Sequence, residues 1–160
     1  MRPKLPAPLA SPADYFEFTF PADPTQEYKL WIRMKAQRNS PYNDSVYVQF
    51  SGAVDRSGAP AYAIGTATAL AVNLEECSGC GLQGWGWRDE AWGSRNVVGT
   101  VNLRFPAGTN GNMLHFMRIH SREDGAMIDQ VVLSAKKYKS ARPGLAKNDT
   151  TILPAIVPSR

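Results

Sequence analysis

Apolar and polar residues alternate along much of this chain with the period of two that is typical of β-strands. The clearest case is YKLWIRMK, where Lys29, Trp31, Arg33 and Lys35 occupy one set of alternate positions and apolar residues the other. YFEFTF and DSVYVQF show the same pattern. Because strand side chains alternate between two faces, each segment is predicted to bury one face. The predicted inward positions are Phe16, Phe18, Phe20, Tyr28, Leu30, Ile32, Met34, Val46, Val48 and Phe50.

Further strands are predicted at about 61–65, 70–74, 99–105, 113–120 and 128–134, separated by turn signals such as Asn110-Gly111. No segment keeps a helical period. This pattern predicts an all-β fold, an antiparallel β-sandwich with jelly-roll topology. We expect an extended N-terminal segment over 1–13, the sandwich over 14–135 and an extended C-terminal tail over 136–160, which packs through Ile152 and Leu153.

Composition and charge narrow the class of protein. The chain has 160 residues, 43% of them hydrophobic and 20% charged, which is typical of one globular domain. No apolar run approaches the ~20 residues of a membrane span. The pI is 9.2, yet residues 136–160 hold six Lys/Arg against one Asp, while 14–135 hold ten against thirteen acidic residues. Because a phosphate-binding surface needs basic residues on the folded body, nucleic acid is not an expected partner.

One segment, CSGCGLQGWGWRDEAWG (77–93), holds both cysteines, three of the four tryptophans and five of the thirteen glycines. So many glycines predict a loop, and indoles on a loop offer flat apolar faces for stacking against sugar rings. The candidate stacking residues are Trp85, Trp87 and Trp92. At least one of the three is expected to pack against the core instead, and Trp85 is the preferred candidate for that role.

Cys77 and Cys80 are predicted to form a disulfide that clamps the base of this loop, with free thiols as the alternative. Zinc needs four ligands, and the chain has no second cysteine pair. A thioredoxin-like redox motif needs a helix after the first cysteine, and none is predicted.

The runs YFEFTF, YKLWIRMKAQ, NDSVYVQFS and REDGAMIDQVVLS resemble the galactose-binding-like β-sandwiches of carbohydrate-binding module families 6 and 35 and their malectin-like relatives. The resemblance covers about 14–135. It implies a sugar site at the loop end of the sandwich and a structural calcium ion. Asp129 matches the family's aspartate on the last strand, whereas nothing before Asp14 matches the family's Glu-x-Glu calcium motif.

The resemblance implies that the ligand contacts one aromatic loop and two polar loops. The candidate carbohydrate-binding residues are Trp85, Trp87, Trp92, Arg88, Asp89, Asn43, Asp44, Arg122, Glu123 and Asp124, and the candidate calcium ligands are Asp129, Asp44 and Asp124. The residues alone favour the same place, because in a sandwich these connections can end on one rim. Two structural interpretations stay open: Asn43-Asp44 as a strand-initiating turn, and Arg122 to Gly125 as a salt-bridged hairpin turn.

Two further positions carry alternatives. Trp31, on the polar side of its strand, is covered by the tail or forms a second binding face, and coverage is preferred. His115 and His120 are an odd number of residues apart, so they are predicted to face opposite sides and not to share a metal.

The sequence thus predicts a non-catalytic carbohydrate-binding module of a secreted, bacterial, multidomain protein that binds β-linked plant polysaccharide. Neither G-x-S-x-G nor H-E-x-x-H is present, which argues against an enzyme. The start of the chain lacks an apolar stretch of signal-peptide length, so a secreted protein would contain this chain as an excised piece. The alternative is a structural or adhesive extracellular domain whose Trp loop packs on a neighbouring domain.

Overall fold

The structure, a computed structural model, describes residues 4–92 and 102–144. Within these described residues, eight strands form two antiparallel sheets, which makes the fold a β-sandwich, as the sequence predicts. The strands are β1 (Tyr15–Pro21), β2 (Tyr28–Ala36), β3 (Ser45–Phe50), β4 (Leu70–Asn73), β5 (Gly86–Arg88), β6 (Asn102–Leu103), β7 (Leu114–Ser121) and β8 (Ala126–Ser134). The two short 3-10 turns are Gln37–Asn39 and Thr109–Gly111. The jelly-roll topology stays a prediction.

The first sheet, sheet A, has the strand order β1-β7-β3-β4. In the second, sheet B, β2 pairs with β8 along nearly its whole length and with β5 and β6 at separate places. The register between β2 and β8 shifts between Arg33 and Met34, which marks a β-bulge.

The core lies between the sheets and contains the inward residues predicted for β2 and β3. Phe105 makes edge-to-face contacts with Phe20 and Phe50, at ring-centroid distances of 5.1 and 5.6 Å. On β1 the burial increases along the strand: Phe16 is exposed, Phe18 is partly buried against the core, and Phe20 is buried. Phe16 lies on the predicted inward face, opposite the buried Ile119, but it lines an open cleft with Ile128 of sheet B and is not buried.

Two element predictions differ from the structure. Residues 61–65 form one isolated bridge, between Ala63 and Phe50, rather than a strand, since Tyr62 and Gly65 have positive φ angles of 51° and 85°. Conversely, β5 forms inside the predicted Trp loop, where Gly86, Trp87 and Arg88 pair with β2. The predicted strand at 99–105 is a strand at Asn102–Leu103, and residues 99–101 lie outside the described residues, as do Ile152 and Leu153.

The segments on either side of the sandwich pack onto its outer faces. Near the N-terminus, Leu5 N donates to Arg122 O (2.8 Å), and Tyr47 of sheet A donates through its hydroxyl to Leu5 O (3.0 Å). After β8, the chain crosses sheet B, where the indole N–H of Trp31 donates to Tyr138 O (2.7 Å). This contact and the burial of Trp31 confirm that the tail covers it.

Candidate functional site

Three connections meet at one end of the sandwich, and we call this end the rim. They are residues 37–44 between β2 and β3, residues 74–85 between β4 and β5, and residues 122–125 between β7 and β8. Asp44 N donates to Glu123 Oε2 (3.1 Å), and Glu75 N donates to Asp44 Oδ2 (2.9 Å). Gln37 N donates to Gly125 O (3.0 Å). The connections that the sequence places on one rim are therefore in direct contact.

Arg88 holds the second connection in place. It is buried, and its guanidinium donates to the carbonyls of Leu74 (2.6 Å) and Gly81 (3.3 Å) and pairs with Glu76 (3.1 Å). Gly81 has a φ of +76°, and a Cβ there would lie 2.7 Å from the guanidinium of Arg88. The prediction that Arg88 donates to sugar hydroxyls is therefore wrong, because its donors are used by the backbone of its own loop.

The predicted disulfide forms between Cys77 and Cys80, with the two Cα atoms 5.1 Å apart. It closes the turn at the centre of the 74–85 connection. Glu75 accepts a hydrogen bond from Gly79 N (2.6 Å) inside the same turn. Disulfide, arginine and carboxylate together fix the loop that leads to Trp85.

The three clustered tryptophans have different environments. Trp87 is buried at 8% exposure, and its indole N–H donates to Gly144 O (2.9 Å). Trp85 and Trp92 are 40% and 47% exposed. One packed tryptophan was expected, but the choice of Trp85 for that role is wrong. Trp87 lies on the outer side of sheet B, where the chain after β8 covers it, so it has no face free to stack on a sugar.

Trp85 is the exposed ring that the rim presents. The Arg33 guanidinium lies 5.4 Å from its ring centroid, within cation–π range. Asn39 donates to Gln83 Oε1 (3.0 Å), and both amide side chains are exposed. Gln83 lies two residues before Trp85 in the chain, and its hydrogen bond brings Asn39 to the same part of the rim. Tyr42, on the first connection, is 73% exposed. Aromatic faces beside amides are suited to the apolar faces and the hydroxyl groups of a sugar.

Sequence reasoning missed Arg33, Asn39, Tyr42 and Gln83. A signal existed for part of this set, since Asn-Ser-Pro-Tyr-Asn (39–43) is rich in turn-forming residues and contains an aromatic side chain. The neighbourhood of Arg33 and Trp85 depends on the pairing of β2 with β5, which local sequence does not specify.

Trp92 belongs to another part of the molecule. Its backbone N donates to Asn73 Oδ1 on β4 (2.7 Å), and the preceding Ala91 packs with Tyr47 and Ala71 on sheet A. Asp89 pairs with Lys29 on sheet B (2.8 Å). The exposed indoles are thus attached to different sheets, and the structure gives no support to a single platform of three tryptophans.

Asn43, Asp44 and Glu123 are almost fully buried. Burial first, and then the hydrogen bond with Glu123, raise the pKa of the Asp44 carboxyl to about 7, against the opposing effect of the hydrogen bond from Glu75 N. Burial also acts to raise the pKa of Glu123, but hydrogen bonds from Ser45, Lys4 and Asp44 bring it below the usual value. Lys4 Nζ lies 3.0 Å from Glu123 Oε1. Their burial and contacts favour the structural interpretations left open for these two turns, and contact of the three residues with a sugar stays a prediction.

The predicted calcium ligands have other partners or positions. Asp129 pairs with Arg33 (3.3 Å), Asp44 is buried against Glu123, and Asp124 is exposed. Within residues 4–92 and 102–144, no three His, Cys, Asp or Glu side chains are grouped so that they could hold a metal ion. Calcium binding remains a prediction without a defined site.

Arg122 and Asp124 line a cleft of about 550 Å³ at the rim, which we call the N-terminal cleft. The Arg122 guanidinium lies 5.7 Å from the ring centroid of Tyr47. One wall of the cleft is the N-terminal segment and the other is the end of β7 with the connection that follows it. The lining residues are Leu5, Leu9, Pro12, Ala13, Asp14, His120, Ser121, Arg122, Glu123 and Asp124.

The two histidines lie on opposite faces of β7, as predicted. The His115 ring packs between the sheets against Phe20 and Phe105, whereas the His120 ring contacts Tyr47 on the outer side of sheet A. Because the two rings are separated by the sheet, they do not form a shared metal site.

No protein-family model, curated protein sequence or solved structure matches this chain. The resemblance to carbohydrate-binding modules therefore depends on the strand motifs and the site chemistry alone. Among the described residues, no helix has the length and apolar character needed to cross a membrane.

Proposed function

We propose that this chain is a non-catalytic carbohydrate-binding module whose rim binds β-linked polysaccharide, with Trp85 as the principal stacking residue. The observation that carries the proposal is the exposed Trp85 ring, backed by the Arg33 guanidinium 5.4 Å from its centroid. Exposing a large apolar face has a cost in free energy, which a binding partner that covers the face removes.

Preorganisation supports the same proposal. Trp85 follows a loop that a disulfide and the buried Arg88 hold together, and Gln83 is hydrogen-bonded to Asn39 on the neighbouring connection. A ring on a fixed loop loses little conformational entropy when it binds, so its contact area contributes more fully to affinity. The disulfide also supports the proposal that the protein acts in an oxidising, extracellular compartment.

The buried carboxylates favour binding over hydrolysis. Glycoside hydrolysis needs two carboxyl groups on either side of a sugar, about 5–9.5 Å apart. Asp44 and Glu123 are instead hydrogen-bonded directly to each other and sealed from solvent. A substrate has no space between them, so we assign this pair a structural role.

Binding is tested by native affinity electrophoresis and Trp fluorescence with soluble β-glucan, xylan, xyloglucan and galactomannan. We expect retardation and a fluorescence change with at least one of these polymers. Trp85→Ala should weaken that binding by about fivefold to 150-fold, given about 1–3 kcal/mol for a stacked ring. Trp92→Ala is the matched control, because Trp92 is similarly exposed but attached to sheet A.

The second candidate function is a structural or adhesive extracellular domain without a glycan ligand. The burial of Trp87, Arg88, Asn43 and Asp44 favours it, because residues predicted to bind sugar serve the fold instead. Absence of any response to the four polymers, in a protein whose folding is verified by circular dichroism, would support this second function and reject the first.

A further inference from the structure

β1 forms one edge of sheet A, because it pairs with β7 on one side and, within residues 4–92 and 102–144, with no strand on the other. An unpaired edge presents a row of backbone N–H and C=O groups that can bind a further strand. Natural proteins usually block such an edge with lysine, with a proline or with a β-bulge. The sequence of β1, YFEFTFP, has no lysine, its register with β7 is continuous, and its proline is the last residue, Pro21. The edge is therefore open to another strand.

The hydrogen bonds beside β1 show which of its residues face the open edge. Ala22 N donates to Met113 O (3.0 Å), in register with the pairing of β1 and β7. Hydrogen-bonded pairs recur at every second residue of an antiparallel ladder, so the even-numbered residues of β1 bond to β7. Tyr15, Glu17 and Thr19 therefore direct their backbone N–H and C=O groups outward.

Side chains at this edge are exposed as well. Phe16 is 47% exposed and, with Ile128 of β8, lines a cleft of about 350 Å³ between the two sheets. Tyr15 is 49% exposed. Glu17 is the only charged residue of β1, and Arg118 pairs with it at 2.7 Å. The edge thus offers aromatic surface and outward backbone groups, and its one charge is compensated within the same chain.

The sequence of β1 is complementary to itself when two copies run antiparallel about Phe18. In that register, Glu17 and Thr19 of one copy form hydrogen-bonded pairs with Thr19 and Glu17 of the other. Tyr15 faces Pro21, which lacks an N–H group, so about six backbone hydrogen bonds cross the edge. A register centred on Glu17 would place two carboxylates directly opposite each other, which is destabilising. One centred on Thr19 would bring Pro21 opposite Glu17 and lose hydrogen bonds.

The aromatic residues of the inner face also match in this register. Phe18 faces Phe18 of the second copy in a non-hydrogen-bonded pair, the kind in which cross-strand side chains lie closest. Phe16, which is exposed in the single chain, faces Phe20 of the second copy. Aromatic cross-strand pairs stabilise a sheet, and this pairing covers the exposed ring of Phe16.

We propose that β1 is a dimerisation edge, at which two copies of this chain pair antiparallel about Phe18 and join their four-stranded A sheets into one continuous sheet. The inference is independent of the sugar-binding proposal. Because a strand of seven residues buries less area than a standard interface, we expect a dissociation constant in the micromolar range. The paired strands run in opposite directions, so the two rims lie at opposite ends of the joined sheet.

Sedimentation velocity of the full chain, at concentrations from about 5 to 500 μM, tests the oligomeric state. We expect the mass to rise with concentration from the 17.6 kDa of one chain towards twice that value. A single species of 17.6 kDa at every concentration would overturn the inference.

Amide hydrogen exchange identifies the surface that the dimer uses. The backbone N–H groups of Glu17 and Thr19 should gain protection as the concentration rises, because they acquire acceptors on the second copy. Phe18 and Phe20 are internal controls, since their N–H groups face β7 and should be protected at every concentration. A dimer in which Glu17 and Thr19 stay unprotected would pair through another surface, and the inference would be rejected.

Two substitutions of the exposed Thr19 test the register with opposite expected results. Thr19→Lys places an ammonium opposite Glu17 of the second copy and should tighten the dimer about two- to thirtyfold, whereas Thr19→Glu should weaken it by a similar factor. The chain has a net charge of +4, so overall repulsion between copies would favour the opposite order. Equal dissociation constants, or the opposite order, would rule out the pairing about Phe18.

Thr19→Pro tests the outward backbone groups directly. It removes the N–H that faces the open edge, and edge strands tolerate proline at such positions. We expect dimerisation to weaken about tenfold or more, because two symmetric hydrogen bonds are lost. Thr19→Val keeps the N–H and is the matched control, and circular dichroism verifies that both variants fold. The inference fails if the two folded variants dimerise equally well.

Discussion

The rim contains two regions built from the same three connections but used in opposite ways. In the first region, Arg88, Asp44 and Glu123 are buried. Arg88 donates hydrogen bonds to backbone carbonyls, and Glu123 accepts one from Asp44. In the second, Trp85 and Tyr42 keep 40% and 73% of their surface exposed. Polar residues thus hold these loops together while aromatic residues face the solvent, the reverse of the usual distribution. The comparison shows that the buried polar contacts of these loops and their exposed aromatic rings are separate features of the rim.

The largest expected loss of stability comes from a substitution in the buried region of the rim. Arg88→Met should lower the free energy of unfolding by about 3 kcal/mol, because the carbonyls of Leu74 and Gly81 lose their donor and Glu76 loses a buried partner. Chemical denaturation measures this change. Arg142→Met is the control, since Arg142 pairs with the same Glu76 from an exposed position and should change stability by less than about 1 kcal/mol. Equal effects of the two substitutions would show that Arg88 does not hold the loop.

Removing the disulfide has the next largest effect. Replacing Cys77 and Cys80 together with serine should cost about 2 kcal/mol, as expected for cross-linking so short a loop. Thermal unfolding with and without reductant measures it. We also expect weaker polysaccharide binding in the double variant, because Trp85 then loses part of its preorganisation. If stability falls while the affinity for polysaccharide stays unchanged, the disulfide does not preorganise Trp85 for binding.

The pH dependence of stability tests the carboxylate pair. The pKa of Asp44 is raised to about 7, so the folded state holds a proton that the unfolded chain releases near pH 3.8. Its contribution to stability is complete below about pH 3.8 and is lost as the pH rises to about 7, by up to about 1.4 kcal/mol per pH unit. Asp44→Asn should flatten this decline, since an amide stays neutral. Parallel stability profiles from pH 4 to 8 would contradict the raised pKa, and Asp129→Asn is the control at an exposed ion pair.

The smallest effect on stability should come from a substitution in the exposed region of the rim. Trp85→Ala should change the free energy of unfolding by less than about 1 kcal/mol, because 40% of the side chain is already exposed. Trp87→Ala should cost about 3 kcal/mol, since that ring is buried and hydrogen-bonded to Gly144 O. Urea denaturation of the two variants compares them directly. Equal losses of unfolding free energy in the two variants would contradict the assignment of Trp85 as the exposed indole and Trp87 as the buried one.

Much of the fold could be predicted because strand alternation is a local signal. The inward residues of β2 and β3 follow from the sequence, and so do the meeting of the three connections and the disulfide. The strand β5 could not be predicted, because three residues, the first of them a glycine, are too few to show a period and form a strand only by pairing with β2. The absence of a strand at 61–65 depends on the left-handed conformation of Tyr62, which sequence alternation does not reveal.

The candidate site was less predictable than the fold. Residue type indicated which side chains could contact a sugar but did not indicate which of them would be buried. Trp85 and Trp87 are two residues apart and have the same side chain, yet only Trp87 is covered by the chain that follows β8. Asp44 and Glu123 lie 79 positions apart, and local sequence does not reveal that they contact each other.

The sequence by itself determined the β-sandwich and the inward faces of its principal strands. These properties depend on the alternation of neighbouring residues, which acts within a few positions along the chain. Only the tertiary structure decided which indole is exposed, which carboxyl groups are buried against each other and where a cleft forms beside His120. Those outcomes depend on which distant segments cover which faces, and burial of that kind is a property of the assembled chain.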